Sequence, residues 1–417
     1  MKHSPVSDPV VVCAATLDTK GHEAAYLCQL LKGWGIAAIL VDLSTQNPPQ
    51  VAPDVAAETV LSALQNSSLK EVNDLPRGEA VAKMAQAFQA FIADLHRGGK
   101  LLGVIGIGGS GGTSLVSGAM RALPIGLPKV LVSTLASGNT VPIIGTSDIL
   151  LLYPVVDVAG LNRVSRIIFQ RAAAAMAGMV SHPPKEASES KRTVGLTMFG
   201  VTTPCVEAVR KTLEAKGFEC LVFHATGTGG KAMETLVSSG LIDAVLDITT
   251  TEVADEIAGG IFPSGPDRMD AILAKKIPYL VSAGAMDMVN FGAIETVPEK
   301  YRKRKLHLHN SLITLMRTTP DENRLAGAWI GRKLAKSPGN WQVLLPEKGV
   351  SALDAPGKPF EDPAANEAFF DSLEKELTRW PEKVKRVPLH VNDPAFAAEI
   401  VRQLEELMQQ KDQGARK

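Results

Sequence analysis

A chain of 417 residues exceeds what one hydrophobic core organises, since domains run to roughly 100–200 residues, so two domains are expected. Its 44 Lys and Arg balance 44 Asp and Glu, which leaves no net field to draw the molecule onto nucleic acid or an anionic membrane; any anion must be held by local geometry. With 45% hydrophobic, 21% charged and 5% aromatic residues, the chain reads as globular and aliphatic, and disorder is excluded except at the ends.

At the start, residues 1–9 run into Pro5, Asp8 and Pro9, and the apolar run at residues 10–15 is too short for a signal or a span. The longest later apolar stretch, residues 149–161, contains Asp157. A soluble cytoplasmic protein with no membrane partner is the expectation. Short β-branched runs ending in Gly, Thr or Ser and followed by helical patterns recur at residues 10–16, 37–43, 101–107 and 130–135. This spacing predicts a parallel sheet with crossover helices. Residues 46–98 read as a mostly helical insertion, and residues 162–180 as a helix capped by Asn162.

The polar, proline-broken segment 181–192 marks a boundary, giving domains over 1–183 and 184–417. Beyond it the pattern restarts with strands near residues 193–199, 219–224, 242–248, 278–283, 342–345 and 386–391. Residues 128–139 line up with 277–290, as a duplication would produce and as shared fold rules alone could largely give. The fold class is therefore α/β, two Rossmann-like three-layer domains with mainly parallel sheets and a cleft between them. Cys13, Cys28, Cys205 and Cys220 lack close metal-ligand spacing and are expected to be buried reduced thiols.

Candidate chemistry sits at strand ends. VIGIGGSGGTSL places Gly108, Gly109, Ser110, Gly111, Gly112 and Thr113 where a buried strand meets a helix, so backbone amides can approach a phosphate; the lysine of a P-loop is missing. TLDTKGHE adds Asp18 and Lys20, suited to a phosphate or its magnesium, and STLASGNT adds Ser137, Gly138, Asn139 and Thr140. In the second domain Thr202 and Thr203 precede Pro204, and FHATGTGGKAME supplies His224, Thr226, Gly227, Thr228 and Gly229. DITTTEVADE gathers Asp247, Thr250 and Glu252, and Asp287 follows in SAGAMDMVNFG. His307 and His309 point to one side of an extended segment, and Arg317 offers a phosphate or carboxylate clamp. Residues 255–270 read equally as a mobile lid or a static surface loop.

Taken in order, TLDTKGHE, GIGGSGGTSL, STLASGNT, FHATGTGGKAME, DITTTEVADE and SAGAMDMVNFG resemble the family represented by the ATP-binding amino-terminal region of a plant tobamovirus-resistance protein, over residues 10–391. The resemblance implies two Rossmann-like subdomains, ATP binding and homodimer formation. It also implies a barrel-type enzyme as a separate partner, because the plant member carries a further barrel domain. It places ATP against residues 108–113, Asp18, Lys20 and residues 137–140.

Three functions remain open on the sequence. The first is an ATP-binding protein that holds a small acidic or phosphorylated metabolite between its domains, with phosphoryl transfer; Thr202, Thr203, Thr226, Gly227, Thr228, Gly229, Thr250, Asp287 and Arg317 would form the substrate side. The second is a lyase or hydrolase acting on a sugar-acid or keto-acid phosphate, with Asp247, Glu252, His224, His307 and His309 as acid, base or metal ligands. The third is an ATP-gated protein-interaction module.

Overall fold

The computed structural model describes residues 6–64, 67–184, 191–337 and 339–414. The chain divides into two compact units, Met1–Glu186 and Ala187–Lys417. That division falls within the segment read as the boundary, of which residues 185–190 lie outside the described residues.

Unit 1 runs β1 (Val10–Ala15), α1 (Leu17–Gly33), β2 (Ala38–Asp42), α2 (Ala57–Leu61), α3 (Leu69–Asn73), α4 (Arg77–Arg97), β3 (Leu101–Gly108), α5 (Ser110–Arg121), β4 (Lys129–Ser133), α6 (Val141–Ile144), β5 (Leu150–Leu152) and α7 (Arg163–Ser181). All its strand pairings are parallel, in the order β2-β1-β3-β4-β5. Alternation along β1 explains why both faces are covered. Val10, Val12 and Ala14 pack with α4 and α5, whereas Val11, Cys13 and Ala15 pack with α1 and α7. The insertion is helical as expected, through α2, α3 and α4. Asn162 does cap α7, its Oδ1 accepting from the Val164 and Ser165 amides at 2.9 Å each.

Unit 2 runs β6 (Thr193–Met198), α8 (Thr203–Ala215), β7 (Glu219–His224), α9 (Thr228–Ser238), β8 (Ala244–Thr249), α10 (Thr251–Ala258), α11 (Asp270–Lys275), β9 (Tyr279–Gly284), β10 (Met288–Phe291), β11 (Leu306–Asn310), β12 (Ile313–Arg317), α12 (Pro320–Ala335), β13 (Trp341–Pro346), α13 (Pro363–Glu376), β14 (Val384–Val387) and α14 (Pro394–Gly414). Its parallel sheet has the order β7-β6-β8-β9-β13-β14. Counted within that sheet, its first five strands repeat the order of unit 1. The similar segments noted in the sequence are the fourth strands of their sheets, β4 and β9.

Two elements were not foreseen. β5 extends the first sheet, and β10, β12 and β11 form a small antiparallel sheet in unit 2. The four cysteines are free, three of them buried and Cys220 half-buried; burial pushes the Cys205 thiol up to about 12. Among the described residues, no helix is long and apolar enough to cross a membrane.

Candidate phosphate site

In a sheet of order 2-1-3-4-5, crossovers leave β1 and β3 in opposite directions, and a crevice opens beyond their carboxyl ends. Unit 1 has a cavity of about 520 Å3 at this place. Asp18 and Lys20 line it from the start of α1, Gly109, Ser110, Gly111 and Gly112 from the turn into α5, and Asp157 from the loop after β5. Thr45, Gln46 and Asn47, just after β2, and Arg77, at the start of α4, complete its polar wall.

The two helix starts at the crevice differ. In α1 the Leu17 amide donates to Asp42 Oδ1 at 3.2 Å and the Asp18 amide to Ser44 Oγ at 2.9 Å, so its first amides are already satisfied. No side chain caps α5, although a helix leaves its first amides without partners inside the helix. Their partial positive charge faces the cavity through the residues that line it. Gly108 shapes the turn: a Cβ there would stand 2.5 Å from the Thr113 nitrogen. At Gly111 nothing lies within 4 Å of a Cβ, so what that glycine leaves open is space at the cavity.

Lys20 sits at a kink inside α1, with φ −128° and ψ 23°, and its Nζ donates to the Val158 carbonyl. Asp18 Oδ1 is buried without a hydrogen-bond partner, an orphaned carboxylate oxygen of the kind a divalent cation satisfies. Two expected contacts face elsewhere. Thr113 is buried, its Oγ1 2.6 Å from Ser133 Oγ, and Ser137, Gly138, Asn139 and Thr140 lie outside the cavity wall. Asn139 Oδ1 accepts instead from the Val141 amide at 3.1 Å, at the start of α6.

Unit 2 uses its strand-end polar residues internally. Arg268 is buried and donates to three carboxylates: Nη2 to Asp247 at 2.8 Å, Nε to Glu252 at 3.2 Å and Nη1 to Glu234 at 3.2 Å. Asp247 also accepts from Thr197 Oγ1 and from the Tyr279 hydroxyl, each at 2.8 Å. Glu252 Oε1 accepts from the Gly227 and Gly230 amides at 2.7 and 3.2 Å, so the start of α9 is already supplied with an anion. Asp247 and Glu252, expected as acid–base or metal-binding groups, are therefore counter-ions to Arg268. Gly227, at φ 78°, and Gly229, whose Cβ would meet the His224 carbonyl oxygen at 1.9 Å, make that turn rather than cradle a ligand.

Most of the other polar residues expected on the substrate side of unit 2 are likewise engaged within the fold. Thr202 Oγ1 lies 2.7 Å from Thr249 Oγ1, Thr203 Oγ1 donates to the Phe199 carbonyl at 3.3 Å and Thr250 Oγ1 to the Ser282 carbonyl at 2.9 Å. The Val201 carbonyl accepts from the Ala352 amide at 3.0 Å and Asn392 Nδ2 at 2.9 Å, closing chain over the end of β6. Arg317 anchors a loop, donating to the carbonyls of Phe360 at 2.8 Å and Asp362 at 3.1 Å. Asp287 accepts from Ser351 Oγ at 2.7 Å, and burial pushes its carboxyl up to about 7 against the pull of Arg317. Thr226 Oγ1 donates to the His224 carbonyl at 3.4 Å, Thr228 is exposed at the start of α9, and His224 packs on Phe199 with ring centroids 5.3 Å apart. His309 is exposed, and among the described residues no group of three or more His, Cys, Asp or Glu could hold a metal. Of residues 255–270, the first four end α10 and the stretch 259–269 is a loop fastened to it: Asp255 accepts from the Phe262 amide at 3.0 Å, Glu256 from the Gly265 amide at 2.9 Å, and Arg268 is buried.

The model described as "Uncharacterised protein family (UPF0261) N-terminal domain" matches residues 9–185, and that of the C-terminal domain residues 191–408. The chain belongs to the UPF0261 family. A UPF0261 protein of Rhizobium meliloti is 49% identical over 94% of this chain and 97% of its own length. The tomato ToMV resistance protein Tm-1 is 46% identical over 95% of this chain but only 55% of its own length, so this chain spans about half of that protein. Among solved structures, the glycosyltransferase SnogD from Streptomyces nogalater covers 95% of this chain and 99% of its own at 10% identity and a TM-score of 0.19, which carries no argument. For this UPF0261 chain, sequence reasoning missed Thr45, Gln46, Asn47 and Arg77. The first three follow a strand directly, which is the signal that could have found them; Arg77 has none, because the helical insertion brings it in.

Proposed function

We propose that this UPF0261 protein binds ATP in unit 1, with the phosphates at the start of α5. The observation that carries the reading is the cavity at the β1/β3 crevice, where the uncapped α5 amides, Lys20 and Arg77 supply positive charge and the turn glycines leave room for close approach. ATP is chosen among phosphorylated ligands because the motif resemblance implies it. Asp18 and Asp157 fit a magnesium ion beside the phosphates; when bound it would neutralise phosphate charge. The reading is one of binding. Phosphoryl transfer to a small acidic acceptor would use positioning and charge in this same cavity, since Asp247 and Glu252 are committed to Arg268.

The homodimer that the resemblance implies has a candidate surface in unit 1. β5 is an edge strand; Leu150 on it, Tyr153, Val155 and Val156 just after it, and Val164 and Ile167 on α7 are all exposed. Calorimetric titration with ATP, ADP and inorganic phosphate, each with and without magnesium, tests the site. Lys20→Met is expected to weaken ATP binding by roughly tenfold or more, the loss of one charge-assisted contact. Incubation with ATP and candidate acids, followed for ADP release, tests transfer.

A further inference from the structure

Lys20 and Glu23 fasten the first turns of α1 to the loop that follows β5, residues 153–162. Lys20 Nζ donates to the Val158 carbonyl, and the buried Glu23 carboxylate accepts from the Gly160 amide at 2.6 Å. The Val158 side chain is buried in the core with α1 and α7, while Asp157 forms part of the cavity wall. Just upstream, Val155 has a φ of 68°, a left-handed backbone that a β-branched residue holds only when its surroundings over-determine it. Its side chain is 59% exposed, so side-chain packing is not what imposes that conformation. The backbone downstream of Val155 is held at Val158 by Lys20 and at Gly160 by Glu23 and by Ser165 Oγ, which donates to the Gly160 carbonyl at 3.2 Å.

If phosphate occupies the cavity, Lys20 has a second acceptor. An ionised phosphate oxygen outcompetes a neutral carbonyl for an ammonium group, because charge-assisted hydrogen bonds are roughly twice as strong as neutral ones. We propose that residues 153–162 form a strap released by the ligand: phosphate draws Lys20 off the Val158 carbonyl, the strap stays held only at its far end, where Glu23 and Ser165 bond Gly160 and Asn162, and the strained backbone at Val155 relaxes. The strap carries the exposed side chains of Tyr153, Val155 and Val156, so its release changes the apolar surface of unit 1. The trigger rests on the phosphate reading; the fastening of the strap by Lys20 stands apart from it.

The test is amide hydrogen exchange of the peptides covering residues 153–162 in the full-length chain, alone, with sodium phosphate and with magnesium-ATP, alongside calorimetry of the same samples. The strap is expected to exchange on the order of tenfold faster once ligand binds. Lys20→Met should exchange fast without ligand, while Lys20→Arg, which keeps a donor, should stay slow and show that the fold is intact. Slow exchange in ligand-free Lys20→Met overturns the fastening. Calorimetric binding with unchanged or slower strap exchange overturns the release and leaves the phosphate site standing. No heat with either ligand overturns the phosphate reading and, with it, the trigger.

Discussion

Gly108 and Gly111 belong to one turn and answer to different demands. A methyl at Gly108 would press on the Thr113 and Gly112 backbone, so Gly108→Ala is expected to cost about 1–3 kcal/mol in denaturant unfolding. Gly111 is helical with open space around it, so Gly111→Ala should be neutral or stabilising by about 0.5–1 kcal/mol while narrowing the approach to the α5 amides. The same residue scale holds a pH dependence. Burial raises the carboxyls of Asp255 and Asp287 to about 7. Each folded carboxyl thus keeps a proton that the unfolded chain releases near pH 4, so stability falls as pH rises from about 4 to about 7 and levels off above that. Chemical denaturation across this window should show a shallower fall in Asp287→Asn than in the native chain; an identical slope in the two would remove Asp287 from the account. Lys20, Asp18 and the glycines were legible because strand-end position and residue type point the same way. Asp247 and Glu252 were misread because their partner, Arg268, is brought to them by tertiary folding.

At the scale of elements, Arg268 joins β8, α9, α10 and the loop before α11 through three carboxylates. Removing one partner of a buried ion network leaves charge uncompensated, so Arg268→Met is expected to lower stability by about 3–5 kcal/mol, read as a shift in the urea midpoint. An effect near zero would make the network incidental. Gly230 belongs to the same device, since a Cβ there would lie 2.2 Å from Glu252 Oε2 and 2.6 Å from Arg268 Nε. The parallel strands were legible from β-branched runs that end at turn residues. β5 and the antiparallel trio were not: β5 is a short strand inside a longer apolar stretch, and β11 alternates polar and apolar residues without the turn dipeptides that announce a hairpin.

Across the whole molecule, two units share one strand order, yet the crevices differ. In unit 1 the end of β1 opens onto a cavity; in unit 2 the end of β6 is met by Ala352 and Asn392, and the amides at the start of α9 are met by Glu252. The repeated construction was visible in the sequence, but this divergence was not, because the closing residues come from distant parts of the chain. The apolar surface around β5 predicts a dimer in sedimentation equilibrium that Val156→Asp weakens; a monomer at every concentration would rule out that surface. A phosphate site in unit 1 alone is read out by calorimetric titration of magnesium-ATP into the native chain, Lys20→Met and Thr203→Val. One ATP per chain is expected, with binding weakened in Lys20→Met and unchanged in Thr203→Val. Binding unaffected by Lys20→Met, or no binding of ATP, ADP or phosphate at all, would contradict it.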